Sequence, residues 1–546
     1  MNIRTKLANF NPYNKTTFLL VCGFAPFYFG LISYMLGADT NWDLANYHIY
    51  NPYALLNHKL LTDLAPASIQ SYFNPLLDVP YYLMTVYFPA PLAGFIMGTV
   101  HGVNFSLVAG IAYKALPGLP SEDRFRIPLL LALFGCTTAN FLSSVGNTMG
   151  DSTTSLFVLT SLLIVMSNWE RITLLRQGST TAIIIAGVVV GMGAGLKLTN
   201  IVYASALCLS FFAIQINWLS RLRLSFLFGV GVLVGLFLTG GFWFCTMWNT
   251  FGNPLFPQFA RYFPNSLIKT GTIYDVSWRP KSVMEALEWP FLFSFNPYRV
   301  GELYNRQIVW AVAYLIFWCW AFSALLSRWA KKIQTRLTAP EQFIVMAIAI
   351  GYGLWMLLFS IQRYLVPIEV LVPLFLYILI TKLLSYSYAR TLAVTILSAI
   401  ALFMMHSGLE TWGHTGWSEK MFTVKLPAME VPDKTTVFLV SGSERGLGWI
   451  AAQFPNTVAF VSAGNSFTQI VDPTVHAKKI HDIVDNRKGP IFAILPPRNP
   501  TSPTQVLAAK ELSKYGYSII FDSCVLTSAL IGAENYPYLW CAVTNQ

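Results

Sequence analysis

Long, charge-free apolar stretches are the feature that most constrains this chain. A bilayer core about 30 Å thick is crossed by roughly 20 apolar residues in a helix. Nine stretches approach or exceed this length without a charged residue: 16–38, 127–150, 152–169, 177–196, 198–220, 224–260, 307–327, 342–362 and 391–409. Two more are expected, within 79–113 and at 364–381, the latter including Glu369. The sequence therefore predicts a mainly α, polytopic membrane protein of about eleven transmembrane helices.

Composition agrees with a chain that lies largely in lipid. Charged residues make up only 11% of the chain, against about a quarter in soluble domains. The net charge of +11 could suggest nucleic acid, but the basic residues gather in short loops between apolar stretches, and no nucleic-acid-binding motif accompanies them. We therefore expect a lipid bilayer as a partner and no nucleic acid.

The basic residues also predict the orientation. If the N-terminus is cytoplasmic, sixteen lysines and arginines fall on inner loops: Arg4, Lys6, Lys15, Lys114, Arg124, Arg126, Arg171, Arg176, Arg221, Arg223, Arg328, Lys331, Lys332, Arg336, Lys382 and Arg390. The outer loops carry nine: Lys59, Lys197, Arg261, Lys269, Arg279, Lys281, Arg299, Arg306 and Arg363. This bias follows the positive-inside rule. Two outer loops, 39–80 and 248–306, are too long to be simple connectors, and amphipathic patches at 47–61 and 282–293 are expected to lie on the membrane surface as helices.

A soluble region follows the last apolar stretch. Short apolar strands are predicted at 435–440, 457–462, 491–495, 517–521 and 538–543, with helical spacing at 475–484 and 504–515. This alternation predicts two domains: a membrane domain at 1–407 and a small extracytoplasmic α/β domain at 408–546. The glycine-rich stretch at 442–448 lacks the full dinucleotide pattern, and we interpret it as a strand-to-helix turn.

Two cysteines, Cys524 and Cys541, are the only pair in the soluble region. Outside the inner membrane the compartment is oxidising, which favours a disulfide between them. The alternative is two buried thiols.

The first long outer loop begins with an unusual polar cluster. Asp39 and Asp43 are four residues apart, a spacing that would place both carboxylates on one face of a helix. Asn46, Tyr47 and His48 follow directly. Aromatic planes beside carboxylates and amides suit a sugar, and polar clusters at a membrane boundary tend to be functional. The alternative is an interfacial aromatic belt with helix-capping acids.

Further candidates fall on the same outer face. Lys197 lies in a tight turn between two spans, Arg363 and Tyr364 open another span, and Asp151 lies between the third and fourth spans. Lys197 and Arg363 could point into one outward cavity and bind a phosphate or diphosphate. Arg363 could instead pair with Glu369, and the sequence leaves both possibilities open.

In its topology and acidic first loop, the chain resembles the GT-C membrane glycosyltransferases. The shared features are the acidic motif directly after the first helix, the long first outer loop and basic residues on later outer turns. The GNPLFP stretch at 252–257 is also similar to bacterial members. The resemblance covers about 16–405. It implies a bacterial inner-membrane enzyme that moves a hexose or pentose from a polyprenyl-phosphate carrier to a glycan, lipid or protein acceptor.

The resemblance also implies roles for individual residues. Transfer would be inverting, with Asp43 as general base on the acceptor hydroxyl and Asp39 as second candidate. Lys197 and Arg363 would bind the carrier phosphate, and His48 or Asp151 would assist. The chain lacks the tight acidic pair of some members, so we expect no cofactor, although Asp39 and Asp43 could hold a divalent ion.

Three other functions fit parts of the pattern. A transporter or flippase of lipid-linked sugars would be expected to show internal repeats and charges near the bilayer midplane, and neither is apparent. A polymerase or ligase of lipid-linked glycans would concentrate its function in a late outer loop. A scaffold for the soluble region would leave the polar first loop unexplained.

Overall fold

A computed structural model describes residues 14–269, 276–329, 336–440, 446–497 and 503–546. Four of the basic residues used to predict orientation, Arg4, Lys6, Lys331 and Lys332, lie outside these ranges. Residues 442–445 of the glycine-rich stretch do so as well.

Each of the eleven predicted spans contains at least one helix. The helices of the membrane region are α1 (Lys15–Leu36), α2 (Tyr50–Leu56), α3 (Val79–Tyr87), α4 (Ala90–Ala115), α5 (Arg126–Gly135), α6 (Ala139–Ser143), α7 (Asp151–Ser167), α8 (Trp169–Thr173), α9 (Ser179–Leu196), α10 (Ile201–Ser210), α11 (Trp218–Phe251), α12 (Val283–Phe295), α13 (Ile308–Trp329), α14 (Ala339–Leu358), α15 (Val366–Glu369), α16 (Val372–Leu383) and α17 (Tyr386–His406).

The lengths of these helices divide the predicted spans into two groups. Within the described part of the chain, seven helices are long and apolar enough to cross a membrane. A pair bent by 54°, Gln362–Glu369 with Val372–Leu383, brings the number to eight if it is counted as one broken span rather than a re-entrant loop. Three predicted spans, at 127–150, 152–169 and 198–220, contain apolar helices shorter than 18 residues. The mainly α, polytopic membrane fold is confirmed.

Small residues allow two of the long helices to pack closely. Gly187, Gly191 and Gly195 repeat every four residues along one face of α9, and Gly231 and Gly235 face them from α11. A Cβ atom at any of these positions would collide with backbone or side-chain atoms of the opposite helix. Close van der Waals packing of this kind stabilises helix association in a membrane, where the hydrophobic effect does not drive helices together. These contacts fix the end of α9, where Lys197 follows.

The region after α17 forms an α/β unit around a mixed sheet. Its elements are β2 (His414–Thr415), β3 (Phe422–Val424), β4 (Thr436–Leu439), α18 (Gly448–Ala451), β5 (Ala459–Ser462), α19 (Ser466–Ile470), α20 (Pro473–Arg487), β6 (Ile491–Leu495), α21 (Pro503–Ser513), β7 (Tyr517–Thr527), β8 (Ala529–Ile531), β9 (Glu534–Asn535) and β10 (Tyr538–Asn545). The five predicted strands form one sheet in the order β5-β4-β6-β10-β7, in which β4 runs parallel to β5 and β6, and β10 runs antiparallel to its neighbours. A disulfide joins Cys524 on β7 to Cys541 on β10.

The first loop covers one face of this sheet. Along β4, Phe438 packs in a cluster with the helices α20 and α21, while Val437 and Leu439 belong to a second cluster that includes Tyr50 and Tyr53 of the first loop. Alternate residues of a strand point to opposite faces. The loop therefore supplies the layer that closes the hydrophobic core on this side.

The two amphipathic patches of the long loops have different surroundings. In the patch at 47–61, Tyr47, Tyr50 and Tyr53 are buried against the C-terminal region, whereas Leu56 and Leu61 are exposed. The patch at 282–293 forms α12, in which Val283 and Met284 are strongly exposed. The location of both patches on a membrane surface stays a prediction.

Candidate functional site

A cavity of about 790 Å³ lies where the first loop, the ends of several membrane helices and the C-terminal region meet. Six of the predicted site residues line it: Asp43, Tyr47, His48, Lys197, Arg363 and Tyr364. An apolar wall of the cavity is formed by side chains such as Leu196 and Phe244 from α9 and α11. The cavity thus combines a polar centre with an apolar wall formed by membrane helices.

Asp43 and Arg363 form an ion pair across this cavity. Arg363 Nη1 lies 2.6 Å from Asp43 Oδ2, although 320 residues separate them in sequence. Burial alone would raise the pKa of Asp43, but the guanidinium of Arg363 and the nearby His48 outweigh it and hold this pKa below its ordinary value. Asp43 is therefore an anion throughout the neutral range.

The structure decides between the two possibilities left open for Arg363. Its guanidinium pairs with Asp43 and lies 3.9 Å from Asp151 Oδ2. It also stacks within 5.6 Å of the ring centroids of Tyr364 and Trp412. Trp412 follows α17 and was not among the predicted site residues. The alternative prediction, in which Arg363 pairs with Glu369, is wrong, because the Glu369 carboxylate has other hydrogen-bond partners.

Glu369 anchors the turn that carries Arg363. Its carboxylate accepts hydrogen bonds from the backbone and side-chain nitrogens of Asn140 and from Trp310 Nε1. The same Asn140 side chain donates to the carbonyl of Gln362 at 2.8 Å, and Gln307 donates to the Gln362 side chain at 2.9 Å. This buried network holds Gln362, the residue before Arg363, and thereby fixes the backbone position of Arg363.

Lys197 provides the second cation of the cavity. It ends α9, and its ammonium donates to the Met149 carbonyl at 2.7 Å and to Asp151 Oδ1 at 2.5 Å. It also lies 5.3 Å from the centroid of the Tyr364 ring. Asp151 stands behind the cavity lining and is near both cations, and among the described residues its Oδ2 has no hydrogen-bond partner.

His48 pairs with an acid that the sequence analysis did not select. His48 Nδ1 lies 2.7 Å from Asp78 Oδ1, and both side chains are buried. Burial raises the pKa of Asp78, although His48 opposes this shift. The other ring nitrogen, Nε2, has no partner within the described part of the protein. The only sequence signal for Asp78 was its place at the end of the first loop.

Two other predicted residues lie apart from the cavity. Asp39 does not share a helix face with Asp43, because it lies in β1 (Ala38–Asp39), which pairs with β2, whereas Asp43 precedes the π-helical turn Leu44–His48. Its carboxylate accepts hydrogen bonds from Asn41 and Thr148. Asn46 is likewise buried and donates to the Ala67 carbonyl at 3.3 Å. Neither residue lines the cavity.

The acids of the site are too dispersed to form an obvious metal centre. Within the described ranges, no group of three or more His, Cys, Asp or Glu side chains could hold a metal ion. Asp43 and Asp78 are instead paired with Arg363 and His48.

A solved structure shares this architecture. The chain superposes on ArnT from Cupriavidus metallidurans, solved with undecaprenyl phosphate bound, with a TM-score of 0.51 over 97% of this chain and 98% of that one. The two sequences are only 12% identical. No protein-family model matches the sequence, and no curated protein matches it significantly.

Proposed function

We propose that this protein is a membrane glycosyltransferase that moves a sugar from a polyprenyl-phosphate carrier to an acceptor of the cell envelope. The observation that carries this proposal is the meeting of Asp43, Arg363 and Lys197 in one cavity with an apolar wall. Two cations suit the carrier phosphate, the apolar wall suits its lipid, and an anionic carboxylate suits the acceptor hydroxyl. The ArnT structure, which contains undecaprenyl phosphate, supports the same donor class.

The reaction that this geometry favours is a direct, inverting displacement. The acceptor oxygen forms a bond to the anomeric carbon while the bond from that carbon to the phosphate oxygen breaks. The polyprenyl phosphate leaves with the bonding electrons, and the acceptor proton passes to Asp43. Lys197 and Arg363 stabilise the charge that develops on the leaving phosphate. The chemistry would be that of hexosyl or pentosyl transfer.

The ion pair with Arg363 makes the basicity of Asp43 depend on whether the donor is bound. A salt-bridged carboxylate with a lowered pKa is a weak base. When a donor phosphate contacts Arg363, it competes with Asp43 for the guanidinium, and the pKa of Asp43 rises towards its ordinary value. Donor binding therefore prepares Asp43 to accept the proton. In the same arrangement, His48 with Asp78 is the second group able to accept a proton.

The proposed setting is the bacterial inner membrane, with a cytoplasmic N-terminus and a periplasmic C-terminal region. It rests on the distribution of lysines and arginines between the loops of the two sides. The cavity and the C-terminal region share one side of the helical domain. The site would then face the periplasm, where envelope acceptors are found.

The test is sugar transfer by purified, reconstituted protein from radiolabelled polyprenyl-phosphate sugars to a crude envelope acceptor. We expect Asp43→Asn to lower transfer by about 10²- to 10⁴-fold, the usual contribution of a general base. The matched control is Asp433→Asn, at an exposed position in the C-terminal region, which should transfer at the wild-type rate. His48→Gln distinguishes the two proton acceptors.

Each outcome has a defined meaning. Full activity in a folded Asp43→Asn protein, with loss in His48→Gln, would assign the base to the His48–Asp78 pair. Full activity in both would contradict a base in the first loop. If the wild type transfers from no donor but moves lipid-linked sugar between leaflets, the protein is a transporter or flippase.

A further inference from the structure

The C-terminal region adds no charged side chain to the cavity lining. The acids and cations of the lining, Asp43, Asp78, Lys197 and Arg363, all belong to the first loop and to the membrane helices with their connecting turns. The C-terminal region contributes Ser466 and Gln469, the first loop also contributes Gln70, and the second long loop contributes Gln258. We call these four uncharged residues the amide wall.

Hydrogen bonds hold the two main parts of the amide wall together. Ser68 Oγ lies 2.6 Å from Ser466 Oγ, and the backbone nitrogen of Phe467 donates to Ser68 Oγ at 3.1 Å. These contacts fix α19 against the turn Ser68–Tyr72, which carries Gln70. The side chains of Gln70 and Gln469 are therefore presented by two segments that are hydrogen-bonded to each other.

Gln70 carries a polar atom that a ligand could satisfy. Its Oε1 is buried and has no hydrogen-bond partner among the described residues. A buried acceptor without a partner is costly, and such atoms in binding sites commonly await a donor from the ligand. A hydroxyl group supplies such a donor, and the amide nitrogens of glutamine can in turn donate to hydroxyl oxygens.

We infer that the amide wall binds the acceptor and that the acceptor is an uncharged saccharide. This inference rests on the proposed function. The lipid of the donor must extend along the apolar wall of α9 and α11, so the acceptor has to enter on the side formed by α19. An anionic acceptor would need a cation on this side, and the residues of the C-terminal region that line the cavity, Ser466, Gln469 and Ile470, are all uncharged. Neutral amide and hydroxyl groups match sugar hydroxyls.

The experiment separates acceptor recognition from donor chemistry. An envelope glycan pool is divided by anion exchange into neutral and anionic fractions, and transfer from labelled polyprenyl-phosphate sugar to each fraction is measured with the full-length protein. The variants are Gln70→Leu and Gln469→Glu, which change hydrogen bonding with little change in size. Gln453→Glu, outside the cavity lining, is the matched control. Donor binding is followed separately with polyprenyl phosphate.

We expect the neutral fraction to support transfer. Both variants should raise the acceptor concentration for half-maximal rate by about tenfold, because Gln70→Leu removes the buried acceptor atom of Gln70 and Gln469→Glu replaces an amide donor with a carboxylate. Polyprenyl phosphate binding and the maximal rate should stay within twofold, and Gln453→Glu should match the wild type. Transfer chiefly to the anionic fraction, or an unchanged acceptor dependence in both variants, would overturn this inference while leaving the glycosyltransferase proposal intact. Absence of transfer to either fraction would overturn both.

Discussion

A buried ion pair between Lys59 and Asp63 attaches the first loop to the C-terminal region. Only 2% of the Lys59 side chain and 1% of the Asp63 side chain are exposed, and Lys59 Nζ lies 3.0 Å from Asp63 Oδ1. The ammonium also donates to the carbonyls of Asn456 and Val458, at 3.1 and 2.6 Å. Asp63 accepts from the backbone nitrogen of Phe460, on β5, at 3.0 Å.

We predict that Lys59→Met loosens this attachment strongly. Removing one partner of a buried pair typically costs about 3–5 kcal/mol, because the other charge is left without compensation. Burial already raises the pKa of Asp63 despite the opposing charge of Lys59. Without Lys59 the pKa of this carboxyl group rises further, so protonation can relieve part of the cost of the buried charge and we expect the lower end of the range, about 3 kcal/mol. This corresponds to a roughly 10²-fold increase in the opening constant.

A second substitution tests whether the uncompensated charge of Asp63 causes this loss of stability. In Lys59→Met with Asp63→Asn no buried charge remains, and the amide oxygen can still accept from Phe460. We expect the cost to fall to about 1 kcal/mol, the value of an ordinary hydrogen bond.

Hydrogen–deuterium exchange of the β5 amides in detergent-solubilised protein measures both costs, with Lys510→Met at an exposed site as control. An increase in exchange below about fivefold for Lys59→Met, or a double variant that opens as easily as the single one, would refute the reasoning.

Three further predictions concern other parts of the molecule. Arg363→Lys keeps the charge but loses the planar fork beside Asp43, so kcat/KM for sugar transfer should fall by about 10- to 100-fold; a loss below threefold would contradict the assigned contact. Burial lowers the pKa of His476 to about 4, so its contribution to stability is complete above the unfolded value of about 6.5 and is lost as the pH falls towards 4. Denaturant titrations at pH 7 and 4.5 should show the wild type losing about 2 kcal/mol more than His476→Phe, and equal losses would exclude this histidine as the cause. Replacing both Cys524 and Cys541, which are 17 residues apart, by alanine should destabilise the C-terminal region by about 3 kcal/mol, and an unchanged denaturation midpoint would contradict this.

Features that depend on local sequence were predictable. Charge-free apolar stretches form helices because the bilayer leaves backbone groups no partner outside the segment. The predicted strands at 435–440 and 457–462, and the helix at 475–484, correspond to β4, β5 and α20. The spacing of apolar residues over a few positions is enough to indicate which side of such an element is buried. The polar cluster after the first span was also predictable, because its unusual composition is a local feature of the sequence.

Contacts between distant segments were not predictable in this way. The spacing of Asp39 and Asp43 suggested a shared helix face, yet a short strand and a π-helical turn send the two carboxylates to different surroundings. The partner of Arg363 lies 320 residues away, and local spacing offered Glu369 instead. Hydrophobic periodicity states which face of an element is buried but not which other element buries it. The pairing of charges in the cavity and the closure of the sheet by the first loop therefore depend on packing between segments that the chain brings together only when it folds.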